Sequence, residues 1–493
     1  MPSPEQCTIV IFGSSGDLAR NKLLPALFAL DRNGLLPPGI AIFGFSRTHS
    51  SDGEFRAQAR DTLANAGNRN PSMADSLDNF LGRLHACQGD YEDRESYRRL
   101  GGMLPGGSRL FYLAVPPSSF GAIVDNLGES GLTPRGTGRT PGGWRRVVIE
   151  KPFGNDLDSA KALNRRISRV LSEDQIYRID HYLAKETVQN ILAFRFANAI
   201  FEPTWNSRYV DHIQVTIAES GGVGSRGAFY EATGALKDIF QNHLLQLLTY
   251  VAMEPPAAFD ADAIRDEQMK VLESIRQFRS CDANGCARRA QYGPGTVDGQ
   301  PVPGYRQEKG VDPGSAVETF VAMKLFIDSP RWKDVPFLLR TGKRLPRTVT
   351  EVAVRFTNDP PPLLKQVPGG QRHPNELVLR IQPDEGISIS FSAKAPGTGL
   401  DLRSVNMDFS YAKSFGAEPT PAYERVLQDA LRGDASLFIR SDVAEESWRV
   451  VQPMLESWRS ENVPDLPVYP AGTWGPSDTA ILNMMEGKSW RIP

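Results

Sequence analysis

The chain has 493 residues, a length sufficient for two or three domains or for one Rossmann-type domain with a large partner. It is 40% hydrophobic and 23% charged, which is typical of a globular protein. Its 56 basic and 58 acidic residues nearly balance, which argues against a nucleic-acid partner or a general polyanion binder. No apolar run approaches the roughly 18 residues that a membrane helix needs, and the first residues lack the pattern of a signal peptide. We therefore expect a cytoplasmic protein without a membrane partner.

The N-terminal part of the chain predicts alternating strands and helices. Short apolar runs rich in β-branched and aromatic residues predict buried strands at residues 8–12, 40–45, 109–115 and 146–150. Amphipathic patterns between them, such as residues 17–30 and 120–127, predict helices. This alternation is typical of βαβ units with a parallel sheet. We therefore predict an α/β Rossmann-type, dinucleotide-binding domain over residues 1–180.

The pattern changes after about residue 180. Strands are predicted at residues 212–218, 317–326, 349–356, 376–381 and 387–391, several of which alternate apolar and polar side chains. Longer helical patterns lie at residues 182–194, 232–253 and 423–432. Alternation of this kind is typical of an antiparallel sheet with one buried face, so residues 181–493 are predicted to form a larger α+β domain. Segments rich in glycine and proline predict surface loops at residues 133–143, 291–304 and 358–370.

A short glycine-containing segment follows the first predicted strand and opens the first predicted helix. It reads Gly-Ser-Ser-Gly-Asp-Leu-Ala over residues 13–19. Free N–H groups and the helix dipole favour a pyrophosphate at such a place, and glycine lets the backbone come close to the anion. The segment has only the spacing Gly-x-x-Gly, so a plain turn between strand and helix remains the alternative.

The end of the second predicted strand bears on the choice of cofactor. Dinucleotide-binding folds that use NAD usually place an acid there for the ribose 2′-hydroxyl, whereas this chain has Arg47 between Ser46 and Thr48. A guanidinium can pair with a 2′-phosphate, which favours NADP. A solvated surface arginine is the alternative, and NAD use is not excluded.

Several polar residues stand where a catalytic site is expected. Lys151 follows the fourth predicted strand, at the carboxyl end where ligands bind in doubly wound sheets. His181 and Lys185 are four residues apart at the start of a predicted helix, so they would share a face and could hold a phosphate. His243 lies in an apolar helical pattern and could simply be a core residue. Its neighbour Asp238 is a polar residue that needs a partner or a function if buried.

The four cysteines do not predict a metal site. Cys281 and Cys286 flank a turn-like stretch, but further Cys or His ligands do not follow nearby. Reduced thiols are expected there, with a local disulfide as the alternative. The rest of the sequence does not bring potential metal-ligating residues together in a cluster either, so we expect that the protein needs no metal.

Five segments resemble the signature blocks of glucose-6-phosphate dehydrogenase. They are the segment at residues 13–19, Glu-Lys-Pro-Phe-Gly at 150–154, Arg-Ile-Asp-His-Tyr-Leu-Ala-Lys-Glu at 178–186, Asp-Ile-Phe-Gln-Asn-His-Leu-Leu-Gln at 238–246 and Leu-Arg-Thr-Gly-Lys at 339–343. They occur in the order of that family. The resemblance implies a Rossmann-type domain followed by a larger α+β domain with a many-stranded, mainly antiparallel sheet, and a homodimer or homotetramer.

The resemblance also implies a reaction. Glucose 6-phosphate would be oxidised to 6-phosphogluconolactone with hydride transfer to NADP, the first step of the oxidative pentose phosphate pathway. His243 would be the general base that takes the proton of the C1 hydroxyl. Asp180 would orient the imidazole and stabilise its cation.

The remaining site residues are assigned by the same resemblance. The 6-phosphate would be held by His181, Tyr182 and Lys185, and the sugar by Glu219, Asp238, Lys343 and, more weakly, Gln382. Lys151 would lie between the sugar and the nicotinamide. The cofactor would contact Gly13, Ser14, Ser15, Gly16, Asp17, Leu18, Arg47, Asp90 and Tyr91, as well as Lys151.

Two other functions are compatible with the same fold. A non-catalytic sensor of NADP or sugar phosphate would be indicated by loss of His243 or Asp180, and both are present. A Rossmann-type oxidoreductase acting on another phosphorylated sugar is the second alternative, because the configuration at C2 or C4 cannot be read from the sequence.

Overall fold

The computed structural model divides the chain into two compact units. The described residues are 7–49, 51–65, 74–136, 139–140, 143–278, 283–357, 374–397, 401–416, 420–460, 466–477, 485 and 487–493. The first unit comprises Met1–Ala184, Ala258–Arg265 and Thr420–Glu445. The second unit comprises Lys185–Ala257, Asp266–Pro419 and Glu446–Pro493. The predicted domain boundary between residues 180 and 181 stays a prediction.

A largely parallel sheet forms the centre of the first unit. Its strands are β1 (Cys7–Phe12), β2 (Ala41–Ser46), β3 (Leu84–Gln88), β4 (Ser108–Leu113), β5 (Arg139–Thr140), β6 (Gly143–Ile149) and β7 (Ile176–Ile179). The order across the sheet is β3-β2-β1-β4-β6-β7, with parallel pairing throughout, and β5 pairs antiparallel with β6. This order, which reverses direction between β1 and β4, is that of the Rossmann fold and confirms the predicted class.

Helices and turns of the first unit alternate with these strands. They are the π-helical turn Ala19–Leu23, the helices Leu24–Arg32, Asp52–Asn65, Ala74–Gly82, Arg94–Met103, Phe120–Glu129, Leu157–Val170 and Ala422–Arg432, and the short 3₁₀ turns Pro117–Ser119 and Glu173–Gln175. All six residues of β1 are buried, as expected for a strand covered on both faces. The predicted strands and helices of this part are confirmed, with shifts of one to three residues at their ends.

A late segment of the chain completes the first unit. The strand Phe438–Ile439 pairs antiparallel with β7 at the edge of the sheet. Arg146 Nη1 on β6 donates to the carbonyls of Ala430 and Leu431, each at 2.8 Å, at the end of the helix Ala422–Arg432. A cation at the carboxyl end of a helix also complements the helix dipole, so this side chain fixes the late helix to the sheet.

The second unit is built on a mixed sheet. Its strands are β8 (Val210–Ala218), β9 (Ala287–Gly293), β12 (Phe320–Leu325), β13 (Phe337–Gly342), β14 (Val349–Phe356), β15 (Glu376–Gln382), β16 (Gly386–Lys394), β17 (Leu402–Ser410) and Val468–Pro470, while β10 (Gly295–Val297) and β11 (Gln300–Val302) form a separate hairpin. The order is β17-β16-β15-β14-β8-β13-β12-β9 and then Val468–Pro470. Only the pairs β8–β13 and β9 with Val468–Pro470 are parallel among these, so the prediction of a mainly antiparallel sheet is confirmed.

The helices of the second unit pack on this sheet or connect the two units along the chain. They are Glu186–Phe196, Gly227–Ala235, the π-helical segment Leu236–Leu244, Leu245–Ala252, Ala283–Cys286 and Tyr411–Phe415, together with the 3₁₀ turns Glu202–Thr204, Gly224–Arg226 and Tyr305–Gln307. The helices Ala261–Ser274 and Ser441–Ser460 contain passages of the chain from the first unit into the second. Among the described residues, no helix combines the length and the apolarity needed to cross a bilayer.

Four predicted elements were wrong in their details. One is the loop predicted at residues 133–143, which contains β5 and the first residue of β6. The helix predicted from residue 182 begins only at Glu186, because residues 181–184 form a turn. The helix predicted from residue 232 is broken at Gly234, whose φ is +65°. The loop predicted at residues 291–304 contains the β10–β11 hairpin. The predicted loop at residues 358–370 lies outside the described residues.

Candidate active site

The glycine segment after β1 makes a tight turn into the first helix. Gly13 has a φ of +82°, and a Cβ there would overlap the carbonyl oxygen of Ala114 and come within 2.9 Å of Val115 Cγ1. The Gly13 N–H donates to Phe45 O at 2.9 Å, and the Gly16 N–H to Gly13 O at 2.9 Å. The turn therefore requires glycine at position 13.

Within the described parts of the chain, the backbone N–H groups of Ser14 and Ser15 have no hydrogen-bond acceptor. The Ser14 side chain is buried, whereas Ser15, Gly16 and Leu18 are half-buried and Asp17 is exposed. Two unpaired N–H groups directly before a helix form a setting suited to an anion. The geometry at residues 13–18 thus fits the pyrophosphate of a dinucleotide.

Arg47 stands on a firmly held turn after β2. His49 is buried, and its Nε2 donates to Gln58 Oε1 at 2.9 Å while its Nδ1 lies 3.4 Å from Ser14 Oγ. The His49 N–H donates to Ser46 Oγ at 3.1 Å. Arg47 itself is exposed, and its guanidinium carbon lies 5.9 Å from the centre of the Tyr91 ring. The turn is fixed, while the charged end of Arg47 is open to a ligand.

Asp90 and Tyr91 follow β3, next to the end of β2. Asp90 Oδ1 accepts from the Glu92 N–H at 2.9 Å. The Tyr91 carbonyl accepts from Tyr97 Oη at 2.9 Å and from Asn126 Nδ2 at 3.0 Å, and burial raises the pKa of the Tyr91 phenol. The structure therefore places these two residues beside Arg47, at the same edge of the sheet as the glycine segment.

Lys151 follows β6 and is half-buried. The preceding residue, Glu150, is buried and accepts a hydrogen bond from Tyr112 Oη at 2.6 Å, and it also interacts with the Tyr423 phenol. Burial raises the pKa of Glu150 despite these hydrogen bonds and the neighbouring Lys151 charge. Two phenols therefore hold Glu150 in place at the end of β6, immediately before Lys151.

Asp180 follows β7 and shapes the turn that carries His181 and Tyr182. Its carboxylate is buried and accepts from the Tyr182 N–H at 2.9 Å through Oδ1, while its carbonyl accepts from the Leu183 N–H at 3.0 Å. An aspartate that binds the backbone two residues onward makes an Asx-turn. The shared helical face predicted for His181 and Lys185 is wrong for this reason, since the helix starts after Lys185.

His181 lines a cleft of about 520 Å³ within the first unit. The same cleft is lined by Lys22, on the first helical turn, and by Tyr423, on the late helix Ala422–Arg432. From the sequence, Lys22 is a candidate for reinforcing the charge at the cofactor phosphate, with an ordinary exposed lysine as the alternative, whereas Tyr423 has no predicted site role. The position of Lys22 soon after the glycine segment was a usable signal, whereas the return of Tyr423 to this unit was not readable from the sequence.

A cluster of charged residues lies at one edge of the sheet in the second unit. Lys343 Nζ donates to Glu219 Oε2 at 2.6 Å, and the ammonium group lies 5.1 Å from the centre of the Tyr230 ring. Tyr230 is buried, and its pKa is raised well above the ordinary value by burial, then by the charges of Asp238, Glu318 and Glu219. Glu219, Asp238 and Lys343 are therefore brought together around Tyr230, which the sequence analysis did not single out.

The register of the sheet explains this grouping. β8 and β13 are parallel and end opposite each other, with Ala218 paired to Gly342, so Glu219 and Lys343 follow at the same edge. β15 ends at the same edge, because Thr350 of β14 pairs with Gln382 and the neighbouring Val349 pairs with Ala218. Gln382 Oε1 accepts a hydrogen bond from Lys185 Nζ. Two predicted sugar- or phosphate-binding residues thus contact each other although nearly 200 positions separate them.

His243 lies on the π-helical segment Leu236–Leu244 and is fully buried. The segment starts at a capped end, where the buried Glu318 Oε1 accepts from the Leu236 N–H at 3.0 Å. A Cβ at Gly234, where φ is +65° and the helix breaks, would overlap this carboxylate, so the position requires glycine. π-helical turns often occur at functional sites because they displace side chains from regular helical positions. This segment carries both Asp238 and His243.

Comparison with known proteins gives a consistent picture. The model of the glucose-6-phosphate dehydrogenase NAD binding domain matches residues 10–190, and that of the C-terminal domain matches residues 192–491. The chain belongs to the glucose-6-phosphate dehydrogenase family. A nicotinamide dinucleotide is therefore its cofactor class, and it is a member of a family of dehydrogenases.

Individual members of the glucose-6-phosphate dehydrogenase family match over essentially the whole chain. Glucose-6-phosphate 1-dehydrogenase of Aggregatibacter actinomycetemcomitans is 44% identical over 99% of this chain and 98% of its own length. A solved structure of glucose-6-phosphate dehydrogenase in complex with its substrate glucose 6-phosphate is 34% identical, covers 100% of both chains and has a TM-score of 0.89. The Mycobacterium avium enzyme is 35% identical, with a TM-score of 0.84 and coverage of 100% and 99%.

Proposed function

We propose that this chain oxidises glucose 6-phosphate to 6-phosphogluconolactone with NADP as the hydride acceptor. The observation that carries the proposal is the likeness over the whole chain to a glucose-6-phosphate dehydrogenase solved with that substrate. The charged cluster of Glu219, Asp238 and Lys343 supports it, because sugar hydroxyls bind to such alternating donors and acceptors. This reaction would open the oxidative pentose phosphate pathway.

NADP is proposed over NAD because of Arg47. Among the described residues its guanidinium has no acidic partner, and it stands at the end of β2, where an NAD-binding fold would place an acid. The unpaired N–H groups of Ser14 and Ser15 fit the pyrophosphate, followed by Gly16, Asp17 and Leu18 at the helix start. Asp90 and Tyr91 would bind the adenosine half. Bound NADP supplies the nicotinamide carbon that receives the hydride.

His243 is proposed as the general base and Asp180 as the residue that orients it. Removing the proton from the C1 hydroxyl raises the electron density on that oxygen, which allows the C1–H bond to break with its electron pair. A buried carboxylate such as Asp180 favours the imidazolium that forms. Both residues are buried, which limits competition by water.

The other side chains are proposed to bind the two ends of the sugar. His181, Tyr182 and Lys185 would hold the 6-phosphate, and Gln382 would keep Lys185 in position through their hydrogen bond. Glu219, Asp238 and Lys343 would bind sugar hydroxyls. Lys151, projecting after β6, would lie between sugar and nicotinamide. We also propose a homodimer or homotetramer, a cytoplasmic location and no metal requirement.

The test is an assay of purified protein with glucose 6-phosphate and NADP, following the absorbance of reduced nicotinamide. Growth of this signal is expected, and its absence with both NADP and NAD would overturn the proposal. Mannose 6-phosphate and galactose 6-phosphate in the same assay identify the alternative of another sugar phosphate, since one of them would then give the higher kcat/KM. Binding of NADP without turnover of any sugar would favour the sensor.

A further inference from the structure

A cleft of about 630 Å³ in the first unit contains two arginines of which the proposed reaction uses one. Its lining includes Arg47 after β2, residues 88–90 at the end of β3, and Arg99 on the helix Arg94–Met103. Arg47 and Arg99 are both exposed. Two guanidinium groups from different elements therefore border one space at the carboxyl edge of the parallel sheet.

Arg99 is anchored through a single nitrogen. Its Nη2 donates to the Gln88 carbonyl at 2.8 Å and to Ser96 Oγ at 3.2 Å. Ser96 is buried and donates from Oγ to Asp93 Oδ2 at 2.6 Å, and Asp93 caps the same helix. In the described ranges, Arg99 Nε and Nη1 donate no hydrogen bond and the side chain has no ion pair. The guanidinium is thus held in place with donors left over for a ligand.

Gln88 links the two arginines through the backbone. Its side-chain Nε2 donates to the Arg47 carbonyl at 3.2 Å, while its own carbonyl accepts from Arg99. The position of Arg47 is also fixed from the other side by the hydrogen bonds of His49. Neither arginine needs to reorganise its backbone when a ligand enters, so little ordering cost opposes binding.

The charge balance of the cleft favours a dianion. Neither Arg47 nor Arg99 forms an ion pair among the described residues, although the charge of Asp93, which accepts from Ser96 Oγ, interacts with that of Arg99. Two like charges that border one cleft raise its affinity for an anion. Asp90, the acidic residue in the lining, accepts a hydrogen bond from its own loop at Glu92. Guanidinium groups bind phosphate oxygens in pairs, and a phosphate monoester has oxygens enough for two of them.

We propose that Arg99 is a second residue that determines specificity for NADP, by binding the adenosine 2′-phosphate together with Arg47. The inference rests on the proposed use of NADP. The two side chains act as a clamp, one from the β2 side and one from the β3 side. NAD has no 2′-phosphate for the two guanidinium groups to bind, so the clamp favours NADP over NAD through these phosphate contacts alone.

Binding experiments test the clamp without enzyme turnover. Isothermal titration calorimetry compares adenosine 2′,5′-bisphosphate with adenosine 5′-monophosphate, which lacks only the 2′-phosphate. Arg99→Gln should weaken binding of the bisphosphate about 10- to 100-fold, as expected for loss of a charge-assisted contact, and leave the monophosphate nearly unchanged. Arg98→Gln is the matched control, because Arg98 lies on the same helix but is exposed and paired with Glu95. Arg98→Gln should leave the affinity for both nucleotides unchanged.

Other outcomes would overturn the clamp. If Arg99→Gln weakens the binding of both nucleotides equally, Arg99 only stabilises the helix. If it weakens the binding of neither, Arg99 does not contact the nucleotide. Arg99→Lys should recover part of the bisphosphate affinity, because the charge returns without the planar fork. If Arg47→Gln and the double variant bind the bisphosphate equally, Arg99 contributes nothing.

Kinetics separate this inference from the proposed function. Arg99→Gln should lower kcat/KM for NADP about 10- to 100-fold while kcat/KM for NAD stays the same. A protein inactive with both cofactors would refute the proposed reaction, whereas the nucleotide titrations would still decide the role of Arg99.

Discussion

The two units contribute to the proposed site in different ways. In the first unit, the residues follow the ends of parallel strands and bind through backbone turns, as at Gly13 and Asp180. In the second unit, the residues form a side-chain cluster around Tyr230, in which Glu219 and Lys343 are paired at 2.6 Å. The first arrangement is local in the sequence, while the second depends on which strands pair. The difference indicates that changes at the turn after β1 should affect the cofactor, whereas changes in the cluster around Tyr230 should affect the sugar.

The largest effect is expected from His243 in the second unit. His243→Asn should lower kcat about 10²- to 10⁴-fold with little change in KM for the sugar, because the general base is lost. Steady-state kinetics with saturating cofactor measure this. His85→Asn is the control, since His85 is half-buried and bound to Asp52 in the first unit. A change confined to KM would mean that His243 binds the substrate and does not move its proton.

A smaller effect, on both the stability of the protein and the KM for the cofactor, is expected from a substitution of Gly13 in the first unit. Gly13→Ala should lower the free energy of unfolding by about 2–5 kcal/mol, from the left-handed φ and the overlap with Ala114, and raise the KM for the cofactor. Gly39→Ala is matched, because Gly39 has a φ of +72° but open space around its missing Cβ. It should cost only about 1–2 kcal/mol and leave the cofactor KM unchanged. Chemical denaturation and kinetics compare the two variants, and equal costs would contradict the close approach at Gly13.

A variant of Lys343 tests whether the cluster in the second unit binds the sugar and not the cofactor. Lys343→Met should lower kcat/KM for glucose 6-phosphate about 10- to 100-fold, since it removes a donor and leaves Glu219 without its cation. The KM for the cofactor should not change. Lys324→Met, at another buried lysine of the same sheet, controls for loss of a buried cation. An equal effect of both variants on the two substrates would show that the pair only stabilises the sheet.

The smallest effect concerns how the stability of the protein depends on pH through Asp429 in the first unit. Burial raises the pKa of Asp429 to about 6, so between its ordinary value near 3.8 and this value the folded state keeps a proton that the unfolded state releases. Stability therefore falls as the pH rises through this window, by about 1–3 kcal/mol at most.

Asp429→Asn removes this titration. Its Tm relative to the unmodified protein should be higher at pH 7 than at pH 4, as measured by thermal unfolding monitored by circular dichroism. Asp61→Asn, at an exposed position of the helix Asp52–Asn65, is the control and should show the same difference at both pH values. A difference for Asp429→Asn that does not depend on pH would contradict the raised pKa.

The sequence predicted most of the first unit because its determinants are local. Strands β1, β2, β4 and β6 contain short apolar runs, and candidate residues stand at their ends, as Arg47 does after β2 and Lys151 does two residues after β6. The helix start at Glu186 was missed because the Asx-turn of Asp180 competes with helix formation over residues 181–184. The β10–β11 hairpin was missed because glycine and proline mark turns and loops alike.

The second unit was less predictable because its contacts are distant in sequence. Strands β8, β12, β14, β15 and β16 were predicted, whereas β9, β13, β17 and Val468–Pro470 were missed. The parallel pairing of β8 with β13, which joins Glu219 to Lys343, leaves no local signal. Tyr230 was missed for the same reason, since only the folded cluster distinguishes it from an ordinary core aromatic residue. The roles assigned to the individual site residues remain predictions, which the variants above test.

The return of the strand Phe438–Ile439 to the first sheet has a consequence for how the protein is made. The segment Thr420–Glu445 reaches the ribosome exit only after most of the second unit has been synthesised, yet it supplies the edge strand next to β7. Until then, β7 presents open hydrogen-bonding groups, which favour pairing with other chains. A fragment truncated after residue 184 would keep that edge exposed permanently, so expression of the dinucleotide-binding half alone should give aggregated material unless residues 420–445 are fused back to it.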